Sequence, residues 1–469
     1  MTEHPAASKM RANFRRHASG KISQVRNVTE NGGESLADTV NHHINEHSAL
    51  LASTFQNSEG QPLYADDRTW VRWPASFGYT SWQTLTSNPV NFLLVFVPIG
   101  IAFGATHGNP TVVFILNFLA IIPLASLLSF ATEEISVKLG QTLGGLMNAT
   151  FGNAVELIVS IVALKNGEIR IVQASMLGSI LSNILLVLGC CFFAGGIKHK
   201  EQHFNSTVAS TMSSLMAVST ASLIIPATLY AAMGSSKTHD KKTHNILILS
   251  HGTSIILLIL YALYLFFQLK THAHLFDEES EPEASGEDGA EGEQAEGHVL
   301  KPPAAGIALV IVTIAVAVCA EYLVNSIDSI VESAHISRTF IGLILLPIVG
   351  NAAEHVTAVV VATKNKMDLA IGVAIGSSMQ IALLVTPFLV ILGWIMGEKM
   401  SLQFEIFETV VFFLAVLVTN YLISDGKSNY LEGAMLIGMY IIIALAFYVY
   451  PDDNTAEGAS TLWSTMSQR

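Results

Sequence analysis

The sequence predicts an all-α polytopic membrane protein with eleven transmembrane helices, arranged as one N-terminal helix plus two inverted five-helix repeats. Three observations carry this prediction. Of the 469 residues, 51% are hydrophobic and only 13% charged, where soluble domains carry about a quarter charged. Long apolar runs fill positions 91–450, many reaching the roughly 20 residues that span a bilayer as a helix. Finally, a pattern recurs at a fixed offset of 198 residues, with Gly152-Asn153-Ala154-Val155-Glu156 answered by Gly350-Asn351-Ala352-Ala353-Glu354.

Residues 1–90 are polar and read as a disordered cytosolic tail. The spans then run approximately over 91–108, 111–132, 141–164, 171–194, 207–233, 246–269, 304–326, 339–363, 368–395, 404–424 and 430–450. The implied units are a first helix (91–108), a first repeat (109–269), a linker (270–303), a second repeat (304–450) and a C-terminal tail (451–469). The linker holds ten acidic residues and no basic ones between Asp277 and Gly297, so most of the net charge of -13 is local to it. A cytosolic N-terminus puts this linker in the cytosol, together with Lys198, Lys200, Lys364 and Lys366, as the positive-inside tendency prefers. Lys237, Lys241 and Lys242 fall on the other side. Cys190, Cys191 and Cys319 lie in apolar stretches and read as small buried hydrophobes rather than disulfide or zinc partners.

The offset also pairs Gly144 with Gly342, Gly178-Ser179 with Gly376-Ser377, and Glu134 with Glu332. Five spans per repeat is an odd number, so the second copy enters the bilayer from the opposite side. Secondary transporters built this way bind substrate between the repeats near the midplane.

Glu156 and Glu354 sit in runs that hold no Lys or Arg, FGNAVELIVSIVAL and VGNAAEHVTAVVVA. A carboxylate at that depth costs several kcal/mol and marks a functional site by default. Asn153 and Asn351, three residues earlier, share a helix face with their glutamates. The preceding glycines allow close backbone approach, and Pro347 removes a helix hydrogen bond in the second copy, which predicts a locally opened helix there. Ser179, Ser182 and Asn183, with Ser377, Ser378 and Gln380, offer further oxygens. Two carboxylates with amide, hydroxyl and carbonyl oxygens form a hard site that suits Ca²⁺. Protons and Ca²⁺ would compete for the carboxylates, which is the physical basis of exchange. His355 has no counterpart in the first repeat and is a candidate for assisting proton transfer. Glu133, Glu134, Glu321, Asp328 and Glu332, near span ends, are candidates for gating or relay.

GNAVELIVSIVAL and GNAAEHVTAVVVATKNKMDLAIGVAIGSSMQIAL closely resemble the signature repeats of the Ca²⁺/H⁺ exchangers of the cation/proton exchanger family, within the Ca²⁺/cation antiporter superfamily. The resemblance covers roughly 91–450, and fungal vacuolar exchangers look like the nearest group. It implies that Glu156 and Glu354 are the essential transport carboxylates, that a gating helix pair moves against a core, and that an organellar proton gradient drives transport without ATP. No cofactor and no nucleic acid is implied; Ca²⁺, H⁺ and the bilayer are the partners, with Mn²⁺ an alternative cargo. Competing readings are a Na⁺-coupled Ca²⁺ exchanger and, from another class, a Glu-lined cation channel. An enzyme is not indicated, since no HExxH and no Ser-Lys or Asp-Asp pairing is evident.

Overall fold

The computed structural model describes residues 89–233, 239–273 and 302–450. The expected N-terminal tail, most of the acidic linker and the C-terminal tail lie outside the described residues. Among those described, eight helices are long and apolar enough to cross a membrane, and two apolar helices, Val90–Ala105 and Ile406–Leu422, are shorter. Their outer faces carry bare aliphatics such as Ile311, Ile395, Ile442 and Val449, as lipid contact requires.

In chain order, α1 (Phe96–Ala105) is followed by α2 (Pro110–Phe151), α3 (Ala154–Lys165), α4 (Ile169–Leu181) and α5 (Leu188–His199). Strand β1 (Gln202–His203), α6 (Ser206–Ala232) and α7 (His239–Phe266) complete the first half. The second half holds α8 (Pro302–Asn325), α9 (Ile327–Ala334), α10 (Leu346–Thr363), α11 (Met367–Gln380), α12 (Thr386–Met396), α13 (Ile406–Leu422), β2 (Lys427–Ser428) and α14 (Tyr430–Val449).

The expected spans 111–132 and 141–164 are not separated by a loop. α2 is helical for 42 residues, yet it is not straight. The Ser136 hydroxyl donates to Asn148 Oδ1 at 2.8 Å, twelve residues on; a straight helix would hold them about 18 Å apart. The chain therefore turns back on itself between them. Gly144 lies so close that a methyl there would sit 2.2 Å from the Ser136 carbonyl oxygen. The second span is thus split between the end of α2 and α3, with Gly152-Asn153 as a non-helical joint.

At this joint the structure departs from expectation. Helix α10 runs unbroken through Gly350-Asn351, while the first copy opens at Gly152-Asn153. Pro347 does not stand at a free helix start: it is the tenth residue of the continuous helical run Arg338–Thr363, and the helix adjusts locally around its missing N–H rather than opening. A π-helical turn, Ile341–Leu345, precedes it.

Two groups of contacts define the ends of the bundle. At one end β1 pairs antiparallel with β2. There Gln202 Nε2 donates to the Ala362 carbonyl and Asn365 Oδ1, both at 2.9 Å, and the Asn205 N–H donates to Asp368. This end carries Lys198, Lys200, Lys364, Lys366 and Lys427, and is called the basic end below. At the other end Arg170 grips Glu405 at 2.8 Å and the fully buried Glu408 at 2.9 Å. Arg338 bridges Glu168 and Asp328 there, and Asn166 meets Asn325. The continuous span Ile169–His199 joins the two ends.

The α3–α4 turn lies at the second end and the α10–α11 turn at the basic end. The two turns match in conformation, with Gly167 at φ 76° and Asn365 at φ 62°, positions that the 198-residue offset superposes. The offset also nearly superposes the π-helical turns Ser182–Val187 and Ile381–Val385. π-turns inside α-helices commonly lie at functional sites.

Candidate functional site

Glu156 and Glu354 each lie nine residues before the end of their helix, α3 or α10, about 14 Å along the axis. One is measured from each end of the bundle, so both fall near the middle of a roughly 30 Å hydrocarbon layer. Glu156 is 4% exposed and Glu354 is half-buried. The two carboxylates are close enough for their charges to interact directly. Glu156 leans on the second motif: a methyl on Gly350 would lie 2.7 Å from its Oε1. Only glycine leaves that carboxylate its place.

A hydrogen-bonded chain crosses between the halves around Glu354. Asn153 Nδ2 donates to Gln380 Oε1 at 2.6 Å, the Ser377 hydroxyl donates to Asn153 Oδ1 at 2.7 Å, and Asn183 Nδ2 donates to Ser377 at 3.0 Å. Ser377 also reaches the Glu354 carboxylate. The opened joint at Asn153 matters here, because a non-helical residue can turn its amide toward α11.

The half beside Glu156 is different. Asn351 and Ser179, which the offset matches to Asn153 and Ser377, are both fully buried. Among the described residues neither Asn351 amide atom nor the Ser179 hydroxyl has a hydrogen-bond partner, and the buried Glu354 Oε2 has none either. A buried polar atom without a partner costs about 1–3 kcal/mol, so this half holds oxygens that a cation would satisfy. The donors are carboxylates, amides and hydroxyls, a hard oxygen set.

The remaining candidates separate. His355 lies beside Ser182, with Nε2 3.4 Å from its hydroxyl, next to the site through α5's preceding π-turn. Glu134 is buried within α2, whereas Glu332, its partner by offset, is exposed on α9. The sequence symmetry does not extend to their surroundings, because α9 is a separate helix after a break at Ser326 while α2 continues. Glu133 is exposed. Asp328 pairs with Arg338, and Glu321 lies 3.9 Å from Lys165; both stand at the end of the bundle, away from the central glutamates.

Sequence reasoning missed the ties that hold the scaffold. Arg170, Glu405 and Glu408 are recognisable only as charges at span starts, and Gln202 as one polar residue in a loop. Nothing local says that they meet.

The close approach of α4 to the segment before α10 fixes the site's floor. A methyl on Gly178 would fall 2.1 Å from the Leu343 carbonyl oxygen, and one on Gly342 2.8 Å from the Ala174 side chain.

The chain matches the family described as sodium/calcium exchanger protein over residues 109–270 and 305–449. It belongs to that family. Within it the similarity is to cation/proton exchangers. A vacuolar calcium ion transporter of Schizosaccharomyces pombe is 53% identical over 369 residues, 79% of this chain and 87% of that protein. A Ca(2+)/H(+) antiporter of Aphanothece halophytica is 44% identical, over 78% of this chain and 98% of that one. Among solved structures, native YfkE is similar with a TM-score of 0.65 and 37% identity, covering 77% of this chain and all of that one. An H+/Ca2+ exchanger crystal structure shares the fold, with a TM-score of 0.60 at 16% identity.

Proposed function

We propose that this protein is a secondary active antiporter that exchanges cytosolic Ca²⁺ for organellar protons by alternating access at Glu156 and Glu354. The observation that carries the reading is the pairing of two motif carboxylates from matched segments, together with buried Glu354, Asn351 and Ser179 oxygens that lack partners among the described residues. The names of the relatives, a vacuolar calcium ion transporter and a Ca(2+)/H(+) antiporter, support Ca²⁺ and H⁺ as the cargo. They also support the vacuolar membrane as the location.

In this mechanism Asn153, Asn351, Gln380, Ser179 and Ser377 supply neutral oxygens, and the glutamates carry either the metal or protons. Two facing carboxylates in a low-dielectric interior repel when both are charged and empty. The binding of Ca²⁺ therefore requires proton loss, and its release requires protonation. His355, whose ring lies 3.4 Å from the Ser182 hydroxyl, is the candidate for assisting proton transfer in this reading. Ca²⁺ and H⁺ are cargo, and no cofactor is needed. The matched turns at opposite ends support two inverted five-helix repeats behind one N-terminal helix. The basic end is the cytosolic one by the positive-inside tendency, which places residues 1–90 and the acidic linker in the cytosol. Mn²⁺, which accepts the same oxygens, is the alternative cargo.

The test is Ca²⁺ uptake into reconstituted vesicles that are acidic inside, comparing the native protein with Glu156→Gln and Glu354→Gln. Uptake that needs no Na⁺, collapses with a protonophore and vanishes in both variants is the expected result. Uptake indifferent to the pH gradient would instead indicate a channel.

A further inference from the structure

A narrow crevice, with room for about one water molecule, opens beside Glu156 between α2, α3, α4, α8 and the start of α10. Its walls include Ile121, Val159, Ser175, Leu323 and Leu346. Four of these are large aliphatics, each at most 8% exposed. Three of them, Val159, Leu323 and Leu346, lie on the stretch of the fold between Glu156 and the Arg170 end. Val159 is three residues beyond Glu156 toward that end, Leu323 is two residues from its Asn325, and Leu346 lies ahead of Gly350, against which Glu156 rests. The polar wall residues are Ser175 and Glu156 itself.

The other half of the molecule is built differently at the same places. The 198-residue offset matches Val159 to Thr357 and Leu346 to Asn148, both polar and both exposed. It matches Ile121 and Leu323 to the smaller Cys319 and Ala125. Glu354 as a residue is half-buried, although its Oε2 is buried, where Glu156 is 4% exposed. Apolar constrictions narrower than a few water diameters block ions and protons by staying dry.

We infer that Ile121, Val159, Leu323 and Leu346 form a dry apolar gate that seals Glu156 from the Arg170 end, and that this gate keeps protons from crossing without Ca²⁺. Two of the four lie on α2 and α8, which pack lengthwise against one another. Sliding that pair against α3 and α10 parts the gate without breaking a polar contact among its walls. The inference rests on the antiport reading for the direction of flow but not for the seal itself.

The experiment measures passive proton leak in Ca²⁺-free vesicles loaded with a pH step, before any exchange assay. Leu346→Asn and Val159→Thr place the matched polar groups of the other half in the gate; Ile311→Ala, on the lipid face of α8, is the control. Val159→Thr keeps the side chain's shape and adds one hydroxyl, so it reports even if Leu346→Asn fails to fold. A leak about tenfold above the native protein is expected once the constriction wets, with the control unchanged. A leak equal to that of the native protein in folded Val159→Thr would overturn the gate. Native protein that holds its pH step but takes up no Ca²⁺ would refute the antiport reading and leave the gate standing.

Discussion

At the residue scale, the site is a carboxylate pair inside a network in which each side chain holds another. Ser377 connects Asn153, Asn183 and Glu354. Its removal would leave the buried Asn153 Oδ1 without its donor, and groups that orient ligands typically change metal affinity 10–100-fold. Ser377→Ala should therefore raise the Ca²⁺ concentration for half-maximal uptake by about that factor, with the maximal rate changed less. Titration of uptake against free Ca²⁺ checks it. A second residue-scale prediction concerns pH. At the basic end the Lys427 ammonium hydrogen-bonds Glu201 and holds its carboxyl below the usual carboxylate range. A depressed carboxyl stabilises the fold above its unfolded value and loses that contribution as pH falls through its folded value, so the pair outlasts ordinary carboxylates on acidification. Glu201→Gln should leave the pH profile of exchange unshifted between neutral pH and about 5, since the proposed mechanism puts the coupling protons on Glu156 and Glu354.

At the element scale, helices are positioned by contacts that admit no substitute. Gly178 meets backbone, the Leu343 carbonyl, so an added methyl cannot be relieved by turning a flexible side chain. Gly178→Ala should destabilise the protein by about 1–3 kcal/mol, visible as a lower thermal midpoint in detergent. Arg170 ties the start of α4 to the start of α13 through Glu408, which is fully buried. Arg170→Ala leaves a buried charge without its cation, a change that costs about 3–5 kcal/mol in comparable pairs. Adding Glu408→Gln should recover part of the loss, because the stranded charge is removed. The unexpected break belongs to this scale as well. Pro347 suggests an opening in the second copy, but the helical run Arg338–Thr363 continues through it, with a π-helical turn at Ile341–Leu345 just before the proline. The joint forms instead at Gly152-Asn153, where α2 has already doubled back through Ser136 and Asn148.

At the scale of the whole molecule, the proposed mechanism moves α2 and α8 against α3 and α10. Ile121 and Val159 line one crevice from two of these parts. With Cys190, Cys191 and Cys319 replaced, Ile121→Cys paired with Val159→Cys should bind Cd²⁺ across the crevice. Uptake should then fall to the level of Glu156→Gln and return on chelation. Uptake that continues with Cd²⁺ bound would mean these walls do not part.

The apolar runs, the intramembrane glutamates and the 198-residue repeat were readable without a structure, because lipid permits few polar groups and each exception is conspicuous. The same reasoning found Asn153, Ser377 and Gln380, whose spacing is local and repeated. It could not find that Glu134 is buried and Glu332 exposed, since equal residues in a repeat need not have equal neighbours. Nor could it find Arg170 on Glu408 or Gln202 on Ala362, contacts between residues 238 and 160 positions apart. The sequence by itself determined the family, the membrane class and the carboxylate pair, because these depend on composition and local spacing. Only the tertiary structure decided which oxygens of the site are hydrogen-bonded and which are left without partners, because that depends on how the two copies pack, and they do not pack alike.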